Sequence, residues 1–211
     1  EAMRQLYELR RFHPPLISGV ETMKVLVVAM SLPVEESTEL IYSVIDEVKK
    51  RGSTPGQKSP RMMIIGDQID DIALIEIIER GGGQLVMDDI SNGSKVYWPD
   101  IEITQNPIEG IAERYLRRIK LPTIYRDIGE TYQDKLEGRF GHIRQFIKDF
   151  GVDGVILLIY RYCDPYGLEV PATKDYIESL GTPVLFIEEE YSTSTLGRLK
   201  TRIEAFLEMI V

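Results

Sequence analysis

The side chains in this sequence with chemistry to offer are few: one cysteine, Cys163, two histidines, His13 and His142, and two adjacent aspartate pairs, Asp70-Asp71 and Asp88-Asp89. A thiolate attacks carbon or holds a soft metal, while a protonated thiol is a small hydrophobe suited to packing. As a nucleophile Cys163 wants a neighbouring base, and neither histidine lies at a strand end. As an iron–sulfur ligand it wants further cysteines, and the chain has no others. On the residues alone, packing, nucleophile and ligand all stay open. Asp67, Asp70, Asp71, Asp88 and Asp89 are the oxygen donors a magnesium ion takes; the competing reading makes Asp70 or Asp71 a helix cap and leaves the rest solvated. Gly81-Gly82-Gly83 follows a helical pattern and precedes an apolar run, the reverse of a phosphate loop, so it reads as a helix C-cap. Glu188-Glu189-Glu190 reads as a solvated loop.

The elements that would position these groups follow from periodicity. Arg61 to Gly66, Gln84 to Met87, Gly154 to Tyr160 and Pro183 to Ile187 are short apolar runs of strand length. They show no polar alternation, which implies burial on both faces and hence a parallel sheet covered by helices. Helical spacing fills the intervals at about 71–80, 138–150, 172–180 and 195–209. The prediction is therefore an α/β, flavodoxin-like three-layer domain with a four-stranded parallel sheet, occupying 53–211. Residues 1–52 read as a helical lead-in: an opening helix stopped by His13-Pro14-Pro15, a buried helix from Val20 to Leu32, and a third from Pro33 to Arg51. Asn106-Pro107 caps one more helix inside an irregular stretch from Tyr97 to Tyr132, whose Tyr/Arg-rich end, from Leu121, reads as an excursion over the sheet.

In an open parallel sheet, ligands bind beyond the carboxyl ends of the strands. Those ends carry Gly66-Asp67-Gln68, the run Asp88 to Ser94, the run Arg161 to Pro165 and Glu188-Glu189-Glu190-Tyr191. The uniformly apolar strand before Cys163 should be central, which would put the thiol at the middle of the cleft, with Asp164-Pro165 holding a turn before the next helix starts.

Composition narrows the function classes. A net charge of -9 argues against binding a phosphate backbone, and an anionic ligand would have to be met by local cations. One cysteine excludes an internal disulfide, and with two histidines it excludes the common zinc-finger spacings. No apolar run approaches a membrane span and no signal-peptide pattern is present, so a reduced, cytoplasmic setting is expected. A chain that opens on Glu1 within a helical pattern reads as a fragment of a longer two-domain subunit.

Four stretches together resemble one family. Pro14-Pro15-Leu16-Ile17-Ser18-Gly19 is similar to its proline-rich entry into the C-terminal domain. Asp88-Asp89-Ile90-Ser91-Asn92-Gly93-Ser94-Lys95 resembles its DD-apolar-C-x-G-S-R loop. Tyr162-Cys163-Asp164-Pro165 resembles its cysteine motif after a strand, and the run Gly197 to Glu208 its terminal helix. The family is the 2-hydroxyacyl-CoA dehydratases, 2-hydroxyglutaryl-CoA dehydratase D-component included, with the related benzoyl-CoA reductases. The resemblance covers nearly the whole chain, as the C-terminal part of a subunit.

That resemblance implies a heterodimer of two similar subunits, each able to hold a [4Fe-4S] cluster, and a separate ATP-hydrolysing activator that delivers one electron. The electron reduces the thioester of an acyl-CoA substrate to a ketyl radical from which a poorly activated hydroxyl leaves; in the reductases it enters an aromatic ring instead. Cys163 inherits the role of one cluster ligand, the others coming largely from an N-terminal domain. Ser91 stands where many members have cysteine. Asp89, Ser91, Asn92 and Gly93 become the substrate-binding candidates. The chain alone should hold no cluster and be inactive. The alternatives are a benzoyl-CoA reductase subunit and a non-enzymatic, cluster-less binding or scaffold paralogue.

Overall fold

The computed structural model describes residues 1–52, 59–69, 71–122, 129–190 and 196–210. Four strands form its one sheet among these residues: β1 (Arg61–Gly66), β2 (Gln84–Asp89), β3 (Gly154–Tyr160) and β4 (Val184–Glu189), in the order β2-β1-β3-β4. Every pairing is parallel, as the unbroken apolar runs predict. Met62 lies beside Leu85 on one side and Gly154 on the other, and Leu158 lies between Gly66 and Ile187. All six residues of β1 are buried, and so are the first six of β3.

The connection from β1 to β2 runs through α4 (Ala73–Arg80), and that from β3 to β4 through α8 (Asp164–Ser179), in opposite directions along the sheet. Right-handed crossovers therefore put these helices on opposite faces. α4 packs with α9 (Leu196–Ile210), and α8 with α7 (Tyr132–Phe150), which gives the three layers. The strand order reverses between β1 and β3. At that point β1 ends on Gly66, where a Cβ would fall 1.8 Å from the Leu158 carbonyl oxygen, so only glycine lets the two strands run this close as they part.

α1 (Ala2–Glu8), α2 (Gly19–Met30) and α3 (Val34–Arg51) share a small core of Leu6, Leu9, Ile17, Ala29, Ile41, Ile45 and Val48. Tyr7, Met23 and Leu26 belong to the main core under the sheet. α2 begins at a capping box in which Ser18 accepts from the Glu21 amide and the Glu21 carboxylate accepts from the Ser18 amide. The expectation of a buried helix from Val20 to Leu32 is corrected in part: α2 is buried on one side only. Thr22, Met23, Leu26 and Ala29 face α3, α4 and β2, whereas Val27, Val28 and Met30 on the remaining side are exposed among the described residues.

Two other boundaries move. α7 starts at Tyr132 rather than 138, since Thr131 and Asp134 form a second capping box, and it ends at Gly151 in the left-handed region. α8 starts at Asp164, so Asp164-Pro165 does not delay the helix. Pro165 sits in the first turn, where no amide is needed, and Pro171 is carried inside the helix. The predicted loop at Ser53-Thr54-Pro55-Gly56, the helix start at Thr195 and much of the stretch from Leu121 to Tyr132 lie outside the described residues. Among the described residues, no helix is long and apolar enough to cross a membrane.

One buried cation ties the lead-in to the sheet. The Arg61 guanidinium donates to the carbonyls of Phe150 at 2.8 Å, Phe12 at 3.0 Å and Arg10 at 2.8 Å, while its backbone amide donates to Asp153. An ammonium cannot span three carbonyls that a planar fork reaches. Arg61→Lys is therefore expected to cost about 2 kcal/mol through the carbonyls it leaves unpaired, read as a lowered midpoint in urea with an unchanged slope.

Candidate functional site

The carboxyl ends of the strands converge as predicted. Asp67 follows β1, Asp88 and Asp89 close β2, and Cys163 lies three residues past β3, so Asp67 and Cys163 flank the point where the strand order reverses. This is the crevice at which doubly wound sheets hold their ligands. Cys163 is half-buried and occupies the N-cap of α8 without a side-chain capping bond. Tyr162 before it has a φ of 70°, the one positive φ outside glycine among the described residues, which swings its ring into solvent as the chain turns into α8.

Burial pushes the Cys163 thiol up, and Asp67, which the thiol faces, pushes it further by hydrogen bonding and charge; the Tyr166 amide pulls the other way. Below its pKa a thiol reacts in proportion to its thiolate fraction. In the metal-free chain, iodoacetamide is therefore expected to label Cys163 more slowly than free cysteine at pH 7.5. Asp67→Asn should speed labelling several-fold, because a lowered pKa gives more thiolate; an unchanged rate would place the control of the thiol elsewhere.

The loop after β2 turns out to be a device for burying two carboxylates. Successive strand residues point to opposite faces, so Asp88 and Asp89 look into different layers. Asp88, on the side of the lead-in helices, accepts from the Tyr7 hydroxyl at 3.0 Å, the Arg10 guanidinium at 3.1 Å and the Ser94 amide at 2.8 Å. Asp89 pairs with the Lys95 ammonium at 2.8 Å and with His142 Nε2 at 3.2 Å. Burial alone would raise the Asp89 pKa; Lys95 and His142 outweigh it and hold the carboxyl well below the usual carboxylate range.

The remaining loop residues serve this geometry. Asn92 spends both ends of its amide on the Ile69 backbone, accepting at 3.0 Å and donating at 2.8 Å. Gly93 leaves room for Asp88, since a Cβ there would sit 2.2 Å from Asp88 Oδ1. The Ser91 hydroxyl meets the Tyr166 hydroxyl at 2.9 Å and so ties the loop to the first turn of α8. Of the four substrate-binding candidates, the structure thus puts Asp89 on a cavity wall and Ser91 against Tyr166, and gives Asn92 and Gly93 work in shaping the loop.

Two cavities flank the Asp89 cluster. One, of about 180 Å³, is walled by Trp98, Pro99 and Phe146 with Ser94, Lys95, Arg118, Lys120 and His142. The other, of about 20 Å³, runs under Tyr166 and the α7–α8 interface and shares Asp89, Lys95, Lys120 and His142. Lys120 and Arg118 arrive there from the predicted irregular stretch. Its Asn106-capped α6 (Pro107–Glu113) forms as expected and runs into a π-helical turn over Arg114–Arg118.

The aspartates do not converge on a cation. Asp88 and Asp89 are engaged by separate partners, Asp71 accepts from the Ala73 amide at 2.8 Å beside the start of α4, and Asp70 lies outside the described residues. Among the described residues no three His, Cys, Asp or Glu side chains are grouped to hold a metal ion. Glu189, expected in a solvated loop, is instead buried at the end of β4 with Arg198 beside it, whereas Glu188 and Glu190 are exposed beside Arg161.

Comparison with known proteins decides the lineage. The family model described as 2-hydroxyglutaryl-CoA dehydratase, D-component, matches residues 1–210. The chain belongs to this family. The (R)-phenyllactyl-CoA dehydratase beta subunit of Clostridium sporogenes is 25% identical over 100% of this chain and 54% of its own length. The lactoyl-CoA dehydratase subunit beta of Anaerotignum propionicum is 24% identical over 99% and 54%. A benzoyl-CoA reductase subunit of Thauera aromatica is 20% identical over 99% and 53%. The chain spans about half the length of the curated relatives it matches. For a D-component family member the DD loop and the cysteine motif are thus neighbours at one sheet edge.

Sequence reasoning missed His142 and Lys95. His142 lies at no strand tip; it reaches Asp89 from α7, next to the buried stripe of Phe140, Ile143 and Phe146. A histidine beside an apolar stripe four residues before Phe146 was the available signal, and only the packing of α7 on β2 gives it meaning.

Proposed function

We propose that this chain is part of a subunit of a cytoplasmic iron–sulfur 2-hydroxyacyl-CoA dehydratase, in which Cys163 supplies one ligand of a [4Fe-4S] cluster. The observation that carries the proposal is the place of Cys163: the sole thiol of a D-component family chain stands at the strand-order reversal, half-exposed, at the N-cap of α8. The donor set fits one corner of a cluster and no more, because the chain has no second cysteine; the other ligands must come from outside these residues.

The reaction converts a 2-hydroxyacyl-CoA to an enoyl-CoA and water after one-electron reduction by an ATP-dependent activator. The bound cluster supplies low-potential electron chemistry. The chain's own residues do the rest locally. Asp88 with Arg10, and Asn92 with Ile69, hold the β2 loop; Ser91 and Tyr166 tie it to the helix that starts at Cys163; Asp89, Lys95 and His142 present a charged wall to the cavity. The heterodimer is made with a second, related subunit, as the beta-subunit names of the dehydratase relatives suggest. The dehydratase reading stands ahead of the benzoyl-CoA reductase one because the dehydratase subunits are the more similar.

Purified anaerobically with its second subunit and the activator, the protein is expected to form enoyl-CoA from 2-hydroxyacyl-CoA in the presence of ATP and a reductant. No product from any 2-hydroxyacyl-CoA, with an intact complex, would favour the scaffold alternative. The 211-residue chain alone, after anaerobic reconstitution with iron and sulfide, should retain no stoichiometric iron; a retained cluster would show that the ligand set is complete without other residues.

A further inference from the structure

Proline divides α8 in two. Pro171 lies inside the helix, and its ring nitrogen has no hydrogen to give the carbonyl four residues earlier, at Gly167. Glycine is itself a poor helix former, and Gly167 is open on its outer side, with no atom near the place of a Cβ. Packing changes at the same point. Thr173, Tyr176 and Ile177, after the proline, are buried, whereas no residue of 164–170 is. Leu168 is 82% exposed, and Val170 reaches the core only half-buried. What holds these first two turns down is polar and local. The Tyr166 hydroxyl meets Ser91 at 2.9 Å, its ring lies 5.6 Å from the Lys95 ammonium, and Glu169 pairs with Arg139 of α7. Beneath them is the cavity of about 20 Å³, room for a single water, walled on this side by Tyr166, Glu169 and Val170. It shares Asp89, Lys95, Lys120 and His142 with the cavity of about 180 Å³.

We propose that residues 164–170 form a lid, hinged at Pro171 and latched to the β2 loop by the Tyr166–Ser91 hydrogen bond. Segments with few buried apolar contacts open locally while the rest of the fold stays closed, and the proline uncouples this one from the packed half of its own helix. When the latch parts, the two turns unwind, Tyr166 and Val170 withdraw, and the small cavity joins the larger one along the residues they share. Cys163 is the fixed end, its amide tied to the Tyr160 carbonyl at 3.1 Å. The lid therefore controls the way from the sheet edge beside Cys163 to the cavity against Trp98 and Phe146. Its existence rests on the packing of α8; its use in turnover rests on the dehydratase reading.

The test is amide hydrogen exchange of the iron-free 211-residue chain, resolved by residue and corrected for intrinsic rates. Amides at 167–170 are expected to exchange about tenfold faster or more than those at 173–179. Tyr166→Phe and Ser91→Ala each remove the latch from one side. Either should speed exchange at 167–170 by roughly three- to tenfold, the effect of one hydrogen bond, and leave 173–179 unchanged. Pro171→Ala gives the Gly167 carbonyl its donor back and should slow exchange at 167–170 several-fold. One shared rate along α8, latch variants that leave 167–170 unchanged or speed both halves alike, or no slowing in Pro171→Ala would each overturn the lid. None of these measurements involves a cluster or a second subunit, so such a result would leave the dehydratase reading standing. A lid that behaves as expected in a chain whose two-subunit complex forms no product would do the reverse.

Discussion

Asp88→Asn is expected to destabilise the protein by about 3–5 kcal/mol, because it takes from a buried guanidinium the carboxylate it is paired with. Arg10 is 1% exposed, lies 4.0 Å from the centroid of the Tyr7 ring, and has Asp88 as its ion-pair partner; its Nε is already without a hydrogen bond. An asparagine can still accept from Tyr7 or the Ser94 amide, so the loss belongs chiefly to the charge. The double variant Asp88→Asn/Arg10→Met should recover a large part of it, since a buried pair replaced as a unit costs far less than a pair broken in half. Equilibrium unfolding of the two single variants and the double closes the cycle. A loss below about 1 kcal/mol for Asp88→Asn would mean that water reaches Arg10 and that the pair is not what holds α1 to the β2 loop.

Asp89 makes a different statement, about pH. Its folded pKa is depressed, so the stability it contributes is fully present above the ordinary carboxylate pKa and is lost only as pH falls through the lower folded value. The Lys95–Asp89–His142 wall should therefore stay closed at neutral pH and through the ordinary carboxylate range, and open only in stronger acid, followed by acid titration of the folded chain.

These two aspartates also show how far the sequence could be read. The parallel sheet was legible because residues buried on both faces leave only apolar positions in β1 after Arg61 and in β3 up to Tyr160, and the place of Cys163 followed from the position of its strand. The loop from Asp88 to Lys95 was legible as a motif but not as a mechanism. Its lysine folds back onto the aspartate six residues earlier, and its first aspartate is met by Tyr7 and Arg10 from about eighty residues away; neither pairing leaves a periodic trace. The start of α8 escapes the sequence for a local reason: a proline that breaks a helix interior is tolerated in the first turn, and sequence alone does not say which of the two Pro165 is.

The largest functional effect is expected at Cys163. In the proposed two-subunit enzyme, Cys163→Ser should remove or convert the proposed cluster and bring turnover to background, since a neutral hydroxyl is a poor iron ligand beside a thiolate. The fold makes this substitution unusually informative. Cys163 is the N-cap of α8, and its sulfur is no more than a weak acceptor for the Tyr166 amide, whereas serine is among the preferred N-cap residues and accepts well from an amide of the first turn. If the thiol were ordinary packing, its replacement would perturb a half-buried contact by about 1–2 kcal/mol and leave the iron in place. If the thiol is a ligand, the same variant in the 211-residue chain, prepared free of iron, should melt no lower than the parent, and by the capping argument up to about 1 kcal/mol higher. Iron content of the complex and thermal stability of the chain, measured on one substitution, therefore move in opposite directions under the two readings. Full iron occupancy with a destabilised chain would remove Cys163 from the cluster, and with it the observation on which the dehydratase proposal stands.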